Sequence, residues 1–215
     1  MEPFLRNDQY NAIVQYVQVI LDTKKKHVAP NVLKATIELA GAKILALFHE
    51  STAEQQALLD VTAHTTSEEL HRFLEQLRSY VNPFPPISEP QIKKLFPKAK
   101  KLKVPPLDSV DWHKLTYLSW NDLGSNKKYI VYPQDGKWLG IQCSLTPLAK
   151  AGYCSLCKCV NDVSYVSTIA KKKQAKNSDY YKALGNLICT DSATCNEKIT
   201  TTMHVEKLFG DVLEG

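Results

Sequence analysis

From Tyr10 to Val81 apolar side chains recur every three or four positions, the period of a helix face; beyond Leu102 the spacing changes to alternation, the period of a strand. Tyr10, Ile13, Val14, Val17, Ile20 and Leu21 mark a first amphipathic helix from Asp8 to about Asp22, which Lys24, Lys25 and Lys26 close. After Pro30 a second helix is predicted to reach Phe48, burying Leu33, Ile37, Ala40, Ile44 and Leu47. Ser51-x-x-Glu54 and Thr66-x-x-Glu69 fit the capping box, in which hydroxyl and carboxylate satisfy orphan backbone donors, so a third and a fourth helix are predicted to start there. The fourth carries Leu70, Phe73, Leu74, Leu77 and Val81. One apolar stripe per helix, with short links between helices, predicts an antiparallel four-helix bundle over residues 1–82.

Asn82-Pro83-Phe84-Pro85-Pro86 ends that pattern, because proline removes a backbone donor and disfavours helix in the residue before it. Ser88-Glu89-Pro90-Gln91 opens a short helix through Ile92, Leu95 and Phe96. Lys128 to Tyr132 and Lys137 to Ile141 flank Asp135-Gly136, the signal of a tight hairpin. Val163 to Ile169 and Leu184 to Cys189 read as further strands, and one last helix is predicted from near Asp191 through Ile199, Met203 and Leu208. The fold class is therefore α+β: the helical bundle, then a β-rich α/β domain over residues 83–215. No internal repeat is visible, and Lys171 to Lys176 reads as a mobile loop.

Composition changes this picture little. With 44% hydrophobic and 23% charged residues, the 215-residue chain is an ordinary globular one. The net charge of +5 is modest, but lysine is clustered at Lys93, Lys94, Lys98, Lys100, Lys101 and Lys103, and again at Lys171, Lys172 and Lys173. Such runs are either solvated surface or patches for an acidic partner. The N-terminus has no basic stretch followed by an apolar region, and no apolar run is long enough to span a membrane, so the expectation is a cytoplasmic protein.

Cysteine adds the chemistry. Cys154-x2-Cys157 and Cys189-x5-Cys195 are two spaced pairs, and in a reducing compartment such pairs favour a metal over disulfides. Zinc takes four thiolates at about 2.3 Å in a tetrahedron, and two intervening residues let a tight knuckle aim both sulfurs at one ion. Thirty-one residues between Cys157 and Cys189 leave room for a hairpin, with Cys195 in the first turn of the last helix. Knuckle, hairpin and helix in that order describe a treble-clef finger holding one structural Zn2+. Buried free thiols, and a substitution of Cys159 or Cys143 for one of the four, are the alternatives; otherwise those two are small core hydrophobes. His71, His113 and His204 stand at no ligand spacing and read as surface or packed residues. No phosphate loop, HExxH or G-x-S-x-G is present, and Asp108, Asp111 and Asp122 read as turn or cap residues, so no enzyme is expected.

Several of these segments carry a family likeness. Tyr80-Val81-Asn82-Pro83-Phe84, the stretch from Lys93 to Lys103 ending Leu102-Lys103-Val104-Pro105, the segment from Ser119 to Tyr132, and the two cysteine pairs with their expanded second spacing together resemble the elongation factor G-binding proteins, the FusB-type fusidic acid resistance proteins and their chromosomal relatives, some of which are labelled fibronectin-binding. The likeness runs from about Gln9 to the C-terminus. It implies a helical N-terminal domain, a zinc domain that docks on elongation factor G and promotes its release from the ribosome, and rescue of translation from fusidic acid by binding alone. The resemblance carries the zinc ligands to Cys154, Cys157, Cys189 and Cys195 and places the contact surface on the zinc domain. There Tyr153, Tyr180, Tyr181, Lys182 and Met203 are the expected contacts, with Lys171, Lys172 and Lys173 steering the encounter.

A competing reading is a zinc-finger module for RNA or the ribosome. From Lys150 onward nine lysines face seven acids, a net of +2, weak for a surface that tracks phosphates, and exposed aromatics interleaved with arginine are missing there. No sequence-specific nucleic-acid contact, no membrane and no oligomer is expected.

Overall fold

The computed structural model describes residues 1–170 and 183–213, and the chain divides into two compact units, Met1–Asn82 and Pro83–Gly215. The first is helical: α1 (Asn7–Lys25), α2 (Pro30–Leu45), α3 (Ala53–Leu59) and α4 (Ser67–Arg78), with a 3-10 turn at Val61–Ala63. Leu5, Ile13, Val17, Ile20, Ile44, Leu59, Leu70 and Leu77 are fully buried in its core. Thr66 caps α4, accepting from Glu69 N–H, while the Glu69 carboxylate accepts from the Thr65 and Thr66 backbones at 2.7 and 2.9 Å. The third helix starts one residue later than the sequence suggests: Thr52 accepts from Gln55 N–H and Gln55 returns the bond to Thr52 N–H, so the second hydroxyl–amide pair caps in place of Ser51 and Glu54. α2 stops at Leu45, short of Phe48. A single parallel bridge, Leu5 to Val81, ties the two ends of this unit.

The second unit opens with α5 (Glu89–Leu95), capped by Ser88, and continues into a five-stranded antiparallel meander in the order β1 (Leu118–Asp122), β2 (Lys127–Gln134), β3 (Lys137–Tyr153), β4 (Val160–Ile169) and β5 (Ala183–Cys189). Asp135 and Gly136, both at positive φ, make the β2–β3 turn. Alternation along β2 divides the packing: Tyr129 and Val131 join Phe84, Ile92 and Phe96 in one cluster, whereas Ile130 and Tyr132 join the cysteines and C-terminal helices in another. β3 is 17 residues long and carries a bulge between Pro147 and Ala151, after which it pairs with β4 down to Tyr153 opposite Val160.

The single last helix is two: α6 (Ser192–Lys198) and α7 (Met203–Leu213). Ile199, Thr200, Thr201 and Thr202 separate them, a β-branched run that loses side-chain freedom in a helix. Thr202 then restarts the chain by accepting from Val205 and Glu206 N–H. No helix among the described residues is long and apolar enough to cross a membrane.

Candidate metal centre

Four sulfurs meet where β3, β5 and α6 converge. Leaving β3 at Tyr153, the chain turns through Cys154-Ser155-Leu156-Cys157, and Lys158 adopts a left-handed φ of 57° that lets it turn back into β4. The turn is closed by Lys158 N–H to Cys154 O and Cys154 N–H to Cys159 O, both at 3.0 Å. Cys189 ends β5, and Asp191 then caps α6 by accepting from Ala193 and Thr194 N–H, which sets Cys195 in the first turn.

Cys154, Cys157, Cys189 and Cys195 are all buried, and their sulfurs lie within 4.8 Å of one another. Cys154 to Cys195 is 3.8 Å and Cys157 to Cys189 is 3.7 Å. A disulfide needs about 2.05 Å, so these are not bonded pairs. A zinc tetrahedron with bonds of about 2.3 Å has edges of about 3.8 Å, which both separations meet. Among the described residues this is the one group of three or more metal-ligating side chains, and no histidine belongs to it.

The surroundings are built for thiolates. Leu156 and Cys189 N–H groups each donate to Cys154 Sγ at 3.4 Å, and the Asn161 amide donates to Cys189 Sγ at 3.4 Å and Cys157 Sγ at 3.6 Å. Lys198 fixes that amide by donating to its oxygen. Tyr117, fully buried, carries a hydroxyl with no partner at ordinary hydrogen-bond distance; burial and then the neighbouring Cys195 raise its pKa well above the usual value. A metal-held thiolate at Cys195 would offer that hydroxyl an acceptor. Without a cation four sulfurs this close cannot all be charged: bonds from Cys157, Cys189 and Cys195 hold Cys154 far below the ordinary thiol range, while the bond to Cys154 drives Cys195 far above it. A divalent ion removes that conflict, and with four protein ligands it keeps no open position for a reacting water.

The remaining cysteines stay outside. Cys143 lies on β2's neighbour strand β3, opposite Lys128, where burial pushes its thiol up to about 12, and Cys159 donates to Cys157 O at 3.4 Å. Tyr153 and Met203 are exposed at 56% and 62%, at the edge of the knuckle and the start of α7. Tyr180, Tyr181, Lys182, Lys171, Lys172 and Lys173 lie outside the described residues. Asn161, Asn196, Tyr117 and Lys128 were not singled out from sequence. Asn196, buried, accepts from Thr116 and Tyr117 N–H at 2.7 and 3.1 Å and so fastens α6 beside β1. Lys128 could have been flagged, because two consecutive lysines on a strand covered on both faces cannot both reach solvent. Its burial pulls its pKa down, opposed by the charges of Cys195 and Cys189.

Comparison with known proteins agrees with this geometry. Residues 4–85 match the family described as "Elongation factor G-binding protein, N-terminal", and residues 94–209 match "FBP C-terminal treble-clef zinc-finger". Among solved structures, the fusidic acid resistance protein FusC superposes with a TM-score of 0.80 at 26% identity, covering 97% of each chain. A search of curated proteins finds no match. With both halves matched in order by the family's two domains, and a four-cysteine centre in the second, the chain belongs to the elongation factor G-binding protein family.

Proposed function

We propose that this chain is a cytoplasmic, monomeric binding protein for elongation factor G, which docks through its zinc domain, promotes release of the factor from the ribosome and can protect translation from fusidic acid. It makes and breaks no bond. One structural zinc, held by Cys154, Cys157, Cys189 and Cys195, stiffens the docking surface. Binding energy alone does the work, by favouring a state of the factor with a weaker hold on the ribosome.

One juxtaposition carries the reading beyond family membership: large apolar side chains are exposed on the rim of a closed, buried metal centre. Tyr153 directly precedes Cys154 and pairs across β3–β4 with Val160, which is 67% exposed. Aromatic and apolar residues on a rigid frame give contact area at little entropic cost, as interface anchors do.

The test is a titration of purified elongation factor G with the full chain. Tyr153→Ala should weaken binding about tenfold or more, as loss of an interface anchor does. Cys154→Ser should lose zinc and the factor together while α1 to α4 keep their helicity. Undiminished binding in both variants refutes the proposal. Salt-sensitive retention on RNA, with none on the factor, would replace it by the nucleic-acid reading, for which the exposed lysines from Lys93 to Lys103 would be the surface.

A further inference from the structure

We infer that Lys128 is the built-in counter-charge of the metal centre, assisted by Lys198, so that the buried zinc–thiolate cluster and the two lysines together are electrically neutral. The inference rests on the four cysteines being zinc ligands.

Lys128 is fully buried, a rare state for a lysine. It lies on the face of β2 shared with Ile130 and Tyr132, which pack into the cysteine core. Its ammonium donates to Asn121 Oδ1 at 3.0 Å and to the carbonyl of Thr190, the residue after Cys189, at 3.2 Å. Both acceptors are neutral, and among the described residues no carboxylate stands within ion-pair distance of it. Asp191 also acts on it by charge, but that carboxylate is exposed and already accepts from Ala193 and Thr194 N–H, so the ammonium lacks a buried opposing charge, a strongly unfavourable state.

The metal centre has the opposite deficit. Four thiolates around one divalent cation leave a doubly negative cluster, also buried, whose backbone and Asn161 donors supply dipoles but no charge. Lys198, half-buried, donates to the oxygen of Asn161, whose amide in turn donates to Cys157 and Cys189. One lysine thus approaches through the Thr190 carbonyl and the other through the Asn161 side chain. In a low-dielectric interior such charges attract strongly without direct contact, so each deficit compensates the other. The same logic explains why Lys127, its neighbour, differs: that side chain takes the other face and reaches Ser144 Oγ at 3.3 Å.

Full-length wild type, Lys128→Met and Lys127→Met are titrated with zinc against a chromophoric chelator; the two variants lose the same charge at adjacent positions. Lys128→Met should bind zinc about 10- to 100-fold more weakly, the range expected for loss of an outer partner of a metal site, with Lys127→Met unchanged. Iron exchanged into the same four sulfurs gives a second readout. Its ferric form takes up one electron to become ferrous and one unit more negative, so Lys128→Met should lower the reduction potential. Should Lys128→Met not fold, Lys198→Met, at a half-buried position, should show a smaller loss of zinc affinity in the same direction. Wild-type affinity and potential in Lys128→Met, or in Lys198→Met where the first does not fold, overturn the inference. Failure of the wild-type chain itself to take up zinc would instead overturn the ligand assignment beneath it.

Discussion

Stripping the metal should unfold the second unit, whose two apolar clusters share β2, and leave the first intact. The four cysteines belong to the same buried cluster as Ile130, Ile141, Val163, Ile188, Val205 and Phe209, so an ion held by them would sit inside a core rather than on a surface. Structural zinc supplies apparent binding free energy of about 10–16 kcal/mol at neutral pH. Whole domains are stable by only about 5–15 kcal/mol, so a unit deprived of its zinc cannot hold this cluster together. The sign with pH follows from the thiols. Held as thiolates by zinc, they have pKa values depressed below the unfolded value of about 8.5. Their contribution is therefore complete above that value and is lost as pH falls. Each site costs about 1.4 kcal/mol per pH unit below it, up to about 5.5 kcal/mol per unit for four.

The chain separates the signals. Trp112, Trp120 and Trp138 all lie in the second unit, packed with Phe84, Phe96 and Tyr129 on the far side of β2 from the cysteines. Most helix lies in the first unit, in α1 and α2 of 19 and 16 residues, against 7 and 11 for α6 and α7. Chelator in reducing buffer should therefore shift tryptophan emission toward that of exposed indole while far-ultraviolet dichroism falls only by the share of the C-terminal helices. Less chelator should suffice at lower pH. The reasoning is refuted if both signals persist after elemental analysis shows the metal gone, or if both collapse together.

Two further outcomes test the packing and the caps. A Cβ at Gly140 would stand 2.9 Å from both Leu95 Cβ and Phe96 Cζ, so Gly140→Ala should push α5 off the sheet and cost about 1–3 kcal/mol, read as a lower chemical-denaturation midpoint of the tryptophan signal; an unchanged midpoint would show that α5 is loosely held. Backbone bonds from Thr66 and Thr65 hold the Glu69 carboxyl at about 2, below its unfolded value, so its support of α4 is complete above about pH 4.3 and is lost as pH falls through 2. NMR titration of the Thr65 and Thr66 amides should follow that low midpoint, and a midpoint near 4.3 would contradict the capping geometry.

What the sequence made readable was whatever rests on period and local bonding. Helical spacing located α1, α2 and α4, and the Thr66 and Ser88 boxes located two starts because each is a bond between residues three apart. Asp-Gly located the hairpin for the same reason, and Asp111 and Asp122 do serve as cap and turn residues, accepting from His113 N–H and Gly124 N–H. The break between α6 and α7 was missed because Ile199 and Met203 keep helical spacing across it; hydrophobic period is blind to a β-branched interruption. β1 was missed because Leu118 to Asp122 is too short and too polar at its far end to alternate visibly. Asn161 and Asn196 were invisible for a different reason: Asn161 bridges Cys157, 4 residues away, to Cys189, 28 residues away, and Asn196 reaches Thr116, 80 residues away, so only the folded chain gives them a role.

The longest strand changes what the metal is for. A four-cysteine finger standing alone would be too small for a self-sufficient core and would depend on its metal. Instead β3 runs without a break from the hairpin at Lys137, past the bulge after Pro147, to Tyr153 at the lip of the knuckle. Cys189 likewise ends a strand whose partners continue across the sheet to β1. An ion held there would therefore clamp one end of a five-stranded sheet, and the side chains on that end, Tyr153 and Val160 among them, would inherit the stiffness of the whole sheet. A binding protein that acts only through contact gains from that arrangement, because little conformational entropy remains to be lost when its partner docks. On the proposed function, Cys154→Ser should abolish binding without touching the helical unit through lost rigidity alone, because it would remove no proposed contact, only the clamp that would hold Tyr153 and Val160 still.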